Sequence, residues 1–186
     1  MNKHKMHTNY KDDWETPKIV FDAINAAFGF RICLDVAASK ENAKCADFYT
    51  KEHNALCHTV SWGQCHVRNN RMERGMWFCN PPFSLVEEFL EKAHYELDKN
   101  GNQGVMIVPS NQETKWFREL IVYPNLPRVV YPKRIPFLHP ETKKPMNGNP
   151  VGSVVVAFVK SDTPLLSLGI AGEPWVKNIS GRVFKF

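Results

Sequence analysis

The residues of this sequence with the most chemistry to offer are Asn80-Pro81-Pro82-Phe83, which follow the apolar run GMWFC at 75–79. Two consecutive prolines remove two backbone donors and fix φ, so the turn is stiff and its carbonyl groups are held in place. Asn80 adds an uncharged side-chain oxygen, the Pro81 carbonyl a second acceptor, and Phe83 a flat apolar surface. That set suits a planar base bearing an exocyclic amine, with acceptors for the amine hydrogens and a ring for the base to stack on. The same string also reads as an ordinary proline turn with Phe83 in the core, so the elements around it decide between the two.

Those elements favour a ligand site. The run at 75–79 reads as a buried strand, and after the turn Ser84 with Glu87 three positions on forms a capping box. Val86, Phe89, Leu90, Ala93 and Leu97 then give the apolar stripe of a helix that ends at Asn100-Gly101. An earlier strand at 31–36 (RICLDV) ends in Asp35, followed by the small-residue turn Val36-Ala37-Ala38-Ser39. Before it, Thr16-Pro17 reads as an N-cap and first helical position, with Ile19, Val20, Ala23, Ile24, Ala27 and Phe28 at helical spacing and Gly29 as the stop. Further strands are predicted at 104–109, 128–131 and 151–160 and a helix at 113–122, with short strand candidates at 48–50 and 60–62. Strands alternating with helices predict an α/β fold, a mostly parallel central sheet with helices on both faces. Such sheets bind ligands at the carboxyl ends of their strands, where Asp35 and Asn80 both fall.

Composition sets the frame. At 186 residues with 43% hydrophobic and 23% charged positions, the chain has the size and balance of one folded domain. We read residues 1–11 as a flexible arm and 12–186 as a single domain. No run is long and apolar enough for a membrane helix, and the five cysteines read as reduced thiols, so a cytoplasmic location is expected. Cys57-His58 and Cys65-His66 lack the spacing of a zinc knuckle, and no metal is expected. The net charge of +5 is compatible with a polyanionic partner. The excess is concentrated in a proline-rich loop at 132–150, where Lys133, Arg134, Lys143 and Lys144 are candidate nucleic-acid contacts. Trp62 is either core or a contact to a bound ligand.

Asn80-Pro81-Pro82-Phe83 resembles the (D/N/S)PP(Y/F) motif of amino-methyltransferases acting on nucleic-acid bases, in the Asn form of the adenine-specific members. Taken in order with Asp13-Trp14-Glu15-Thr16-Pro17, Leu34-Asp35-Val36-Ala37-Ala38 and Asn42-Ala43-Lys44-Cys45, it is similar to the phage-type DNA N-6-adenine methyltransferase (Dam) family over residues 12 to 160. The resemblance implies a Rossmann-like class I methyltransferase using S-adenosylmethionine. Asp35, Ala37, Trp14, Thr16 and Pro17 would lie at the cofactor, and Asn80, Pro81, Pro82 and Phe83 at an adenine flipped out of double-stranded DNA. The glycine-rich turn usual after the first strand is replaced here by Val36-Ala37-Ala38-Ser39. The alternatives are the same fold acting on RNA adenine or protein glutamine, and a DNA-binding homologue without catalysis.

Overall fold

The computed structural model describes residues 10–29, 31–63, 65–68, 71–131, 134–146 and 151–160, together with four short strands beyond them, Gly169–Ile170, Glu173–Pro174, Val176–Lys177 and Val183–Phe184. Residues 1–9 of the expected arm lie outside these, while Tyr10–Asp13 form a 3₁₀ turn. Eight strands follow in the main body: β1 Ile32–Asp35, β2 Asp47–Phe48, β3 Cys65–Arg68, β4 Arg71–Arg74, β5 Met76–Cys79, β6 Gly104–Pro109, β7 Arg128–Val130 and β8 Ser153–Phe158. Six of them make one sheet in the order β2-β1-β5-β6-β8-β7, and β3 and β4 pair as a separate hairpin. The pairs β1·β2, β1·β5 and β5·β6 are parallel, whereas β8 runs antiparallel to both β6 and β7. Five strands therefore point one way, and β8 is the reversed one between β6 and β7.

Helix α1 spans Lys18–Ala27 and α2 Val86–Asn100, and a short α3 at Lys115–Phe117 continues as a π-turn over Arg118–Val122. Side chains of a strand alternate between faces, and the two apolar clusters divide accordingly. Met76, Phe78, Val105 and Ile107 pack with Val20, Phe21 and Ile24 of α1. Trp77, Cys79, Met106 and Val108 pack with Phe89, Leu90 and Ala93 of α2 and with Phe117 and Ile121. The expected two-faced sheet is present, with α1 on one side and α2 and α3 on the other.

Several local expectations are corrected. Helix α1 takes Pro17, not Thr16, as its cap residue, because the Pro17 carbonyl accepts the first N–H groups, from Val20 and Phe21, at 3.0 and 3.1 Å. Ile19 is on its solvent side at 77% exposure. Residues 60–62 form no strand: Trp62 is core, its Nε1 donating to the Ala55 carbonyl at 2.9 Å and its ring meeting Trp77. Ser84 makes no capping box, since a 3₁₀ turn over Phe83–Leu85 delays α2 to Val86.

The buried face of α2 also carries charge that the apolar stripe did not reveal. Lys92 and Glu96 are 4% and 0% exposed, and Lys92 Nζ lies 2.6 Å from Glu96 Oε1. Glu96 Oε2 accepts from Asn102 Nδ2, Asn100 Nδ2 and the Trp62 N–H at 2.7, 2.9 and 3.2 Å. Burial pushes the Glu96 carboxyl up, and these bonds with Lys92 outweigh it, leaving it below the usual range. The charge is thus compensated where it lies.

Gly101 ends α2 in the left-handed region at φ 66, with its N–H bonded to the Leu97 carbonyl. A Cβ there would meet only ordinary contacts, so the effect of substitution is backbone strain. Gly101→Ala is expected to lower stability by about 1–2 kcal/mol, a few degrees in Tm by thermal melting, with Gly101→Asn costing less.

Candidate active site

Strands β1 and β5 are parallel neighbours, so their carboxyl ends bring Asp35 and Asn80 to the same sheet edge. A cleft of about 590 Å³ opens there, walled by residues from 12–16, 35–44, 49–56 and the turn after β5. Trp14, Thr16, Asp35, Ala37, Asn80 and Pro82 all line it. Pro17 does not, being committed to the cap of α1.

The Asn80 side chain has a defined sense. Its Nδ2 donates to the Trp14 carbonyl at 2.8 Å, and a carbonyl can only accept. The other end, Oδ1, is buried without a partner, as are Trp14 Nε1 and Thr16 Oγ1. Such groups each cost about 1–3 kcal/mol when left unsatisfied, and three of them border one cleft. The Pro82 carbonyl accepts from the Leu85 N–H at 3.0 Å and closes the 3₁₀ turn. Pro81 is buried. Phe83 stands edge-on to Trp14 at 5.5 Å and to Phe137 at 6.2 Å, and Trp14 stacks on Phe137 at 5.9 Å. The Phe83 ring is therefore part of an aromatic cluster beside the cleft.

Asp35 is buried at the end of β1, accepting the Lys44 N–H at 3.0 Å and the Ala37 N–H at 3.4 Å. Burial pushes its carboxyl up to about 6, opposed by those two bonds and by the Lys44 charge. The Lys44 ammonium is itself pushed down by burial and held up in part by Glu15 and Asp35. The glycine-free turn after Asp35 has a backbone reason: left-handed φ values among the described residues occur at Asn54, Asn125, Lys143, Gly29 and Gly101, and none falls in 36–39. Alanine is accommodated where no positive φ is needed.

A match to the family described as DNA N-6-adenine-methyltransferase (Dam) covers residues 3–178. The chain belongs to that family. Escherichia phage T1 has a protein named DNA N-6-adenine-methyltransferase that is 30% identical over 161 residues, covering 78% of this chain and 61% of that protein. A protein of the same name from Haemophilus phage HP1 (strain HP1c1) is 30% identical over 160 residues, 85% of this chain and 84% of its own length. The matched part thus spans less than two thirds of the T1 protein and most of the HP1 protein.

In this Dam-family chain the proline-rich segment is less loose than its composition predicts. Ile135 and Phe137 are buried, and Leu138 exchanges backbone hydrogen bonds with Glu15 at 3.0 and 2.9 Å. Lys143 turns to the buried Glu15 carboxylate and pairs with it, so its charge is engaged by the protein. Arg134 and Lys144 are exposed, and Lys133 lies outside the described residues. Trp62, packed under α2, does not line the cleft. Among the described residues no group of three His, Cys, Asp or Glu is placed to hold a metal ion. The side chains of Cys65 and His66 lie outside the described residues. No described helix is long and apolar enough to cross a membrane.

Sequence reasoning missed Phe137, Tyr49 and Asp12. Tyr49 lines the cleft with its hydroxyl donating to the Ser61 carbonyl at 2.7 Å, and its signal was the weak two-residue strand β2 before it.

Proposed function

We propose that this chain transfers the methyl group of S-adenosylmethionine to the exocyclic 6-amino group of adenine in double-stranded DNA. The observation that carries the reading is the buried, unpartnered Asn80 Oδ1, aimed by the bond from its own Nδ2 to Trp14. A methyltransferase family makes S-adenosylmethionine the methyl donor, and the cleft has the chemistry for it. Trp14 Nε1 and Thr16 Oγ1 are buried donors without partners, and Asp35 is a buried acid. Together they complement the carboxylate, amine and ribose hydroxyls of such a molecule. We assign Trp14, Thr16, Asp35 and Ala37 to holding it.

When bound, S-adenosylmethionine would supply a sulfonium methyl carbon: the amine nitrogen would bond to it as the C–S bond breaks, the neutral thioether would leave and one amine proton would pass to solvent, with no covalent enzyme intermediate. The amine of adenine is conjugated with its ring and a poor nucleophile. Asn80 Oδ1 and the Pro81 carbonyl would accept its two hydrogens, pyramidalise the nitrogen and turn its lone pair out of the ring. Stiffness from Pro81 and Pro82 keeps both acceptors in place, so little reorganisation is needed as charge develops. The base is inaccessible inside a duplex and must be flipped out, with Phe83 as its stacking surface. Phosphate contacts are assigned to Lys133, Arg134 and Lys144.

The test is to incubate unmethylated duplex DNA with the protein and S-adenosylmethionine, digest to nucleosides and weigh them. Methyl on the adenine amine is the expected result. Methyl found only on RNA adenine or on a protein amide would replace the substrate. Calorimetry showing no S-adenosylmethionine binding at millimolar concentration would leave a DNA-binding homologue.

A further inference from the structure

Asn80 and Ser84 bracket the catalytic turn, and both are tied to the same short stretch of chain. At one end Asn80 Nδ2 donates to the Trp14 carbonyl at 2.8 Å. At the other, both oxygens of Asp12 hold Ser84: Oδ1 accepts the backbone N–H at 2.9 Å and Oδ2 accepts the hydroxyl at 2.7 Å. We propose that Asp12 is a positioning residue for methyl transfer, acting through Ser84 to set the orientation of Phe83. The proposal rests on the reading of residues 80–83 as the site of the acceptor base.

The physical basis is the planarity of the peptide bond. The Ser84 N–H lies in the peptide plane shared with Phe83, so fixing it restricts one of the two soft dihedrals of Phe83. The prolines restrict the chain just before, and Trp14 limits the ring edge-on at 5.5 Å. Hydrogen bonds to a carboxylate are about twice as strong as neutral ones, and a two-pronged contact adds direction. Asp12 and its neighbour Asp13 both make contacts open to solvent, but Asp12 holds Ser84 at two points whereas Asp13 only faces Lys51 across 3.5 Å. Residues 12–16 also wall the cleft, so one segment fixes the acceptor turn relative to the cofactor side. Misplacement by an ångström is enough to slow a reaction about a hundredfold.

Asp12→Ala is expected to lower kcat by about 30-fold, with the Kd for S-adenosylmethionine and the KM for DNA within about threefold of wild type. Asp12→Asn should stay within about fivefold of wild type, because its amide still accepts the Ser84 N–H and donates to the hydroxyl. Ser84→Ala, which loses only the hydroxyl contact, should cost about threefold, and adding it to Asp12→Ala should cost nothing more. Amide exchange at Ser84 should speed up in Asp12→Ala and not in Asp12→Asn, a reading that needs no activity and no cofactor. An unchanged kcat in Asp12→Ala, or a loss confined to cofactor affinity, overturns the proposal. So does a multiplicative double variant, and if Asp12→Ala does not fold, an Asp12→Asn as slow as Asn80→Ala does the same. Wild-type protein that methylates no adenine removes the underlying functional reading, an outcome separate from a normal wild type with an indifferent Asp12.

Discussion

Replacing Asn80 with alanine is expected to lower kcat for adenine methylation by about 10²–10³-fold while leaving cofactor affinity within about threefold. In the proposed mechanism the side chain has two jobs at opposite ends, its Nδ2 on the Trp14 carbonyl and its unpartnered Oδ1 toward the amine, and alanine removes both. Asn80→Asp separates them. As a carboxylate, its second oxygen would face the Trp14 carbonyl across a distance suited to a hydrogen bond with no hydrogen to share. Protonated, it regains a donor toward Trp14 and an acceptor toward the amine, the pattern of asparagine. The activity of Asn80→Asp relative to wild type should therefore rise as the pH is lowered from about 8 to about 6. An Asn80→Ala protein retaining more than about a tenth of wild-type kcat would remove Asn80 from the acceptor role.

The sequence was most legible where one residue type has few other uses. A proline pair after a buried strand places a stiff turn at a sheet edge, and β6 is a continuous apolar run whose ends at Gly104 and Pro109 are the strand ends. It was least legible where distant segments compete for a local motif. Ser84 with Glu87 has the spacing of a capping box, yet Asp12, 72 positions away, offers a carboxylate that binds Ser84 instead. Phe137 sits in the short run Ile135-Pro136-Phe137-Leu138, too brief and too interrupted by proline to show a period, and is buried because Leu138 pairs with Glu15 and draws it to Trp14. Lys92 and Glu96 look like a solvated i,i+4 pair and become core only because Asn100, Asn102 and the Trp62 N–H meet them there. The direction of β8 depends on its neighbours β6 and β7, which its own apolar run does not encode.

Asp35→Asn is expected to stabilise the cofactor-free protein as pH rises and to weaken cofactor binding, and the pH at which the gain appears identifies the cause. Burial pushes the Asp35 carboxyl from 3.8 up to about 6 in the folded protein. A carboxyl that binds its proton more tightly when folded contributes stability that is full below the unfolded value and is lost as pH rises through the folded one. A shift of roughly two units corresponds to about 3 kcal/mol. The stability of Asp35→Asn relative to wild type should therefore grow by about 3 kcal/mol between about pH 3.5 and pH 7.5, measured by urea unfolding at each pH. Hydrogen bonds that asparagine makes less well to the Lys44 and Ala37 N–H groups weigh equally at both ends and drop out of the difference. Binding has the opposite sign. S-adenosylmethionine carries a sulfonium, an ammonium and hydroxyl donors, all of which favour the carboxylate, so wild-type affinity should tighten as pH rises through about 6 with release of a proton. Calorimetry in buffers of different ionisation enthalpy reads that proton directly. The asparagine variant should release none and bind about a hundredfold more weakly at neutral pH. A stability difference that does not change with pH would mean that the Asp35 carboxyl is not strained by burial, and an unaltered affinity would move the cofactor's polar contacts to Trp14 and Thr16 alone.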